Sequence, residues 1–85
     1  MSTARKINPF DPRRYTTEFE IEGKHYFLAT GPVVVEKKEV WESDIYPMPD
    51  GTPMSPRHAA GPFKHADEAT ASAAHDRLVA EWRPR

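Results

Sequence analysis

The sequence predicts an α+β domain: a three-stranded antiparallel meander, then a Pro-rich loop, then one C-terminal helix packed on the sheet. Three observations carry that expectation. Apolar or hydroxyl side chains alternate with threonine and acidic ones from Tyr15 to Glu22, the period-two signature of a strand with one buried face. Pro47, Pro49, Pro53, Pro56 and Pro62 crowd positions 44–62, where no central strand tolerates so many missing donors. Residues 66–82 repeat apolar side chains at the helical period before Pro84 stops propagation.

Composition bounds the rest. A chain of 85 residues holds one domain at most. Val, Ile, Leu and Phe together number 14, so the core is thin and burial against a partner would add to it. Thirteen acidic and twelve basic residues leave a formal net charge of -1. That balance disfavours a dedicated nucleic-acid binder, which must neutralise phosphates, and favours self-association. The absence of Cys removes disulfides, thiolate zinc sites and Cys nucleophiles. No apolar run is long enough for a membrane span. Residues 1–14 lack the apolar stretch of a secretory signal, so a cytoplasmic protein is expected.

Each element follows from its residues. Asn8-Pro9 and Asp11-Pro12 disfavour helix in residues 1–14, which read as a flexible tail before a domain spanning 15–85. In the first strand Tyr15, Thr17, Phe19 and Ile21 share one face, while Glu18, Glu20 and Glu22 turn to water. Glu22-Gly23 then supplies a two-residue turn that sets Tyr26 and Leu28 beside Phe19 and Ile21. Residues 25–30 form the second strand, and the unbroken run Tyr26-Phe27-Leu28 places it centrally. Gly31-Pro32 reads as a break. Residues 33–41 form a third strand, because three successive Val residues are poor helix formers; a helix starting at Pro32 is the rival. The 44–62 loop carries a turn signal at Pro49-Asp50-Gly51-Thr52. In the helix, His65 or Asp67 caps the N-terminus. Ala71, Ala74, His75, Leu78, Val79 and Trp82 share the face that meets the sheet.

The expected function is that of a non-catalytic protein-interaction or ligand-binding module, whose surface is the Pro-rich loop, residues 45–58, with the open sheet face near Phe27. Tyr46, Met48, Met54, Arg57 and His58 lie between stiffening prolines, and they include the aromatic, Met and Arg types enriched at interfaces. The partner is an unknown protein or a second copy. A first alternative is nucleic-acid binding through Arg13, Arg14, Lys37, Lys38 and Lys64. Gly61-Pro62-Phe63 ahead of Asp67-Glu68-Ala69 resembles the strand-to-helix step of small modules such as the arm-type DNA-binding domains of phage integrases and SPOR domains. The acidic face of the first strand opposes the DNA-binding use, and no family is assigned. A second alternative is a small enzyme pairing His75 or His58 with a carboxylate. The four histidines show no chelating spacing, and no nucleotide-binding loop or nucleophile elbow is present. No metal or cofactor is therefore expected.

Overall fold

The computed structural model describes residues 10–48 and 58–84. It contains β1 (Tyr15–Ile21), β2 (Lys24–Val35), β3 (Lys38–Pro47), β4 (Ala60–His65) and α1 (Glu68–Glu81). The four strands form one antiparallel sheet in the order β1-β2-β3-β4, with the helix following at the C-terminus. The class is α+β, with four strands where three were expected.

The first hairpin obeys its sequence. Ile21 pairs with Lys24, so Glu22 and Gly23 alone make the turn, at φ of 51° and 81°. Two positive φ values give the turn twist that matches right-handed strands. Phe19 then faces Tyr26, and Thr17 faces Leu28. Glu18, Glu20 and Glu22 all remain exposed.

The third segment does not form one strand or a helix. Val33–Val35 complete β2, and the chain reverses at Glu36-Lys37 before β3. Both turn residues take positive φ, 51° and 67°, although neither has turn chemistry. Cross-strand pairs such as Pro32 with Trp41 and Val33 with Val40 hold the reversal closed. Replacing Glu36 with Asn and Lys37 with Gly is therefore expected to stabilise the fold by about 1 kcal/mol, the strain of left-handed residues less glycine's entropy cost. A urea titration of the double variant measures it.

Gly31-Pro32 does not break β2 either. Pairing with β1 ends at Thr30, so beyond it β2 has a neighbour on one side only, and the missing N–H of Pro32 interrupts no ladder. The expected 44–62 loop is shorter for a related reason. Asp44, Ile45, Tyr46 and Pro47 belong to β3, and Gly61-Pro62 belongs to β4. β4 is an edge strand, where proline is tolerated. The turn at 49–52, together with Met54 and Arg57, lies outside the described residues, as do residues 1–9 of the expected tail.

The helix begins two residues later than expected. Asp67 is the N-cap and accepts from the Thr70 amide at 2.8 Å, which holds its carboxyl below the usual range. His65 is not a cap, because it sits in β4. α1 buries Ala71, Ala74 and His75. Beneath it Leu28 and Ile45 are wholly buried with Tyr26, and Phe19, Phe63, Leu78, Val79 and Trp82 pack around them. The Trp82 ring meets Tyr26 edge-on at 5.1 Å, a favourable aromatic geometry. The expected core face of the helix is the observed one.

Candidate functional site

Side chains alternate across a strand, so the residues between those under the helix face the other way. On that second face Ala29 and Val33 are buried, with Phe27, Val35, Val40 and Tyr46 partly buried around them. The register produces the cluster. Phe27 lies opposite Tyr46, and Val33 opposite Val40. The sheet thus carries two separate apolar clusters, and α1 covers only one of them. Arg14 places its guanidinium 5.9 Å from the centre of the Phe27 ring, a cation–π distance.

The same face of β3 holds two buried acids. Glu42 is 1% and Asp44 2% exposed. The Tyr46 hydroxyl donates to Asp44 Oδ2 at 3.5 Å. Burial and then the Asp44 charge push the phenol up to about 12. His58 stands edge-on to Tyr46 at 5.5 Å, with Nε2 4.0 Å from Asp44 Oδ1. Gly61 makes this crowding feasible. Its φ is 104°, and a Cβ there would lie 2.9 Å from the Ser43 carbonyl and 3.0 Å from Asp44 Oδ1. Gly61→Ala is expected to lower stability by roughly 1–3 kcal/mol through backbone strain; thermal unfolding reads the loss.

Sequence reasoning placed Tyr46, Met48 and His58 in one binding loop. Tyr46 instead sits in β3. Met48 follows the strand, and its amide donates to the His25 carbonyl at 2.9 Å. His58 is exposed just ahead of β4. Tyr46 and His58 do meet, so two of the five candidates form one cluster across the ends of the loop. Met54 and Arg57 are outside the described residues.

The candidate nucleic-acid residues fall at separate places. Arg13 binds both oxygens of Glu39 at 2.9 Å and also Asp11. Arg14 covers Phe27. Lys37 lies in the β2–β3 turn, Lys38 opens β3 opposite Val35, and Lys64 pairs in register with Glu42 in β3. The cations are interleaved with acids.

A feature the sequence did not reveal runs under the helix. Thr17 Oγ1 lies 2.8 Å from His75 Nε2, and Thr30 Oγ1 lies 2.6 Å from His75 Nδ1. Thr30 Oγ1 also meets Ser43 Oγ at 2.7 Å, and Ser43 Oγ meets His65 Nε2 at 2.9 Å. One hydrogen-bonded chain therefore crosses β1, β2, β3, β4 and α1. Thr30 and Ser43 have no exposed surface, so the Ser43–His65 contact presents no nucleophile to solvent. Burial holds both imidazoles below the ordinary histidine value, with the Arg77 charge adding to the effect at His65. The one sequence signal was His75 on the apolar helix face, where a buried imidazole needs partners.

Among the described residues no cluster of three or more His, Asp or Glu side chains could hold a metal ion. Likewise, among them no helix is long and apolar enough to cross a membrane. No family model, curated protein or solved structure matches this chain.

Proposed function

We propose that this chain is a non-catalytic protein-interaction module whose contact surface is the sheet face that α1 leaves uncovered. One observation carries the reading. That face holds its own apolar cluster, and its outer members Phe27, Val35, Val40 and Tyr46 are only partly buried. A partner surface laid over them would remove the remaining apolar area from water, the main driving force for association. Arg14 and His58 supply a polar rim of the kind that surrounds interface cores.

A second copy of the chain is the partner this surface fits first. The partly buried Phe27, Val35, Val40 and Tyr46 would interdigitate with the same residues of a second copy in face-to-face packing, the acids Glu42 and Asp44 of this face being already enclosed within each copy. The test is sedimentation across a concentration series, with Val40→Lys beside the parent. Val40 is partly buried and pairs with Val33 near the Glu36-Lys37 turn. The parent is expected to shift to dimer, and the variant to remain folded and monomeric. A parent that stays monomeric at all concentrations contradicts the self-association. A variant that unfolds makes the face internal core and removes the proposal's basis.

A further inference from the structure

The helix leaves one end of the sheet open on its own side as well. Beyond Glu81 the chain continues through Trp82, Arg83 and Pro84 without helical structure. Between this segment and the strands lies a cleft of about 850 Å³, lined chiefly by Lys24, Tyr26, Pro47, Phe63, Trp82 and Arg83. Its volume is at the upper end of the range for specific ligand sites. Its walls are aromatic and prolyl, and the edge-on pair of Tyr26 and Trp82 fixes two of the rings.

Its charge is one-sided. Among the described residues, Lys24 and Arg83 are the only charged ones that line it, and none of them is a carboxylate. Both are exposed, and among the described residues neither forms an ion pair with an acidic side chain. Arg83 uses one donor on the Trp82 carbonyl at 2.6 Å, which leaves most of its fork for a ligand. In a chain with more acids than bases, two cations beside an aromatic cleft are an attraction for a carboxylate. β4 supplies one wall through Ala60, Gly61 and Phe63. Among the described residues it is also the last strand of the sheet, and on its outer edge Pro62 offers a carbonyl but no N–H.

We propose that this cleft binds an acidic peptide. The peptide lies extended beside β4, puts an aromatic side chain between Phe63 and Trp82, and sets carboxylates on Lys24 and Arg83. The charge-assisted contacts supply orientation, and the buried ring supplies apolar contact. Single-stranded nucleic acid could also stack on such rings, but two cations neutralise few phosphates, so the peptide is the better match.

The experiment is a titration of the ¹⁵N-labelled full chain with acetyl-Asp-Glu-Phe-Glu-Asp-amide, read by amide and indole shifts. The expected result is saturable shifts confined to Lys24, Phe63 and the Trp82 indole. Lys24→Glu combined with Arg83→Glu should weaken binding by about tenfold or more. Because both side chains are exposed, the double variant retains its fold, which its unperturbed spectrum would verify. Added salt should weaken the parent's binding in the same direction. The proposal is overturned by absent shifts at millimolar peptide, by equal binding of the double variant, or by equal binding of a control peptide with Lys in place of every acid, acetyl-Lys-Lys-Phe-Lys-Lys-amide. Tighter binding of a short oligothymidine at the same residues would also overturn it.

Discussion

Ile45→Ala is expected to destabilise the fold by about 2–5 kcal/mol, the cost of a cavity at a fully enclosed aliphatic site. Ile45 has no exposed surface. It pairs with Leu28 on β2 and with Ala60 on β4, and it shares one cluster with Leu78, Val79 and Trp82 of the helical segment. Sheet and helix therefore both depend on it. With 14 Val, Ile, Leu and Phe residues in 85, few other side chains can relax into the void. Small domains carry only about 5–15 kcal/mol in total, so the variant should be partly unfolded at physiological temperature. Urea unfolding followed by tryptophan emission measures the change. Val34→Ala is the control: Val34 is 69% exposed, and its loss should stay within about 0.5 kcal/mol. Equal effects at the two sites would contradict the placement of the core.

Thr30→Val should cost about 1–3 kcal/mol for each buried polar group left without its partner. The substitution keeps the side-chain shape and removes only the hydroxyl. Thr30 Oγ1 lies at the middle of the buried chain, 2.7 Å from Ser43 Oγ and 2.6 Å from His75 Nδ1. Ser43→Ala should cost less, because Ser43 touches the chain nearer its His65 end. The same histidines set a pH dependence. Both have folded values below the ordinary 6.5, so the unfolded chain takes up protons first as pH falls. Stability is full above about 6.5 and declines below it until the folded imidazoles also titrate. Urea midpoints taken from pH 8 to pH 5 should fall on the acid side. A flat profile, or a fall toward alkaline pH, would contradict the buried neutral imidazoles.

The legible parts of this fold were those set by local periodicity and local turn chemistry. The alternation of β1, the Glu22-Gly23 turn and the apolar face from Ala71 to Trp82 depend on neighbours in sequence. The Glu36-Lys37 turn was hidden because neither residue favours positive φ, yet both adopt it. Pairing and burial along the β2–β3 hairpin outweigh a local cost of about 1–2 kcal/mol per residue. β4 was hidden because Pro62 argues against a strand unless the strand is an edge, and edge position depends on the whole sheet. The candidate site was half legible. The composition of Tyr46 and His58 and the open sheet face near Phe27 suggest a contact surface, but Val35 and Val40 read only as strand residues. Their convergence depends on the register between β2 and β3. The Thr17–His75–Thr30–Ser43–His65 chain was not legible beyond His75, since its links span 13 to 58 residues of sequence.

The two-faced sheet can be tested with methyl-labelled protein and a soluble paramagnetic agent at low and high protein concentration. At low concentration the expected result is strong broadening of the Val35 and Val40 methyls and none at Leu28 and Ile45, which lie under α1. At high concentration the Val35 and Val40 methyls should become protected as a second copy covers them. Methyls of Val35 and Val40 that are silent at low concentration, or broadened equally at both, would contradict the proposal that a second copy binds the face α1 leaves uncovered.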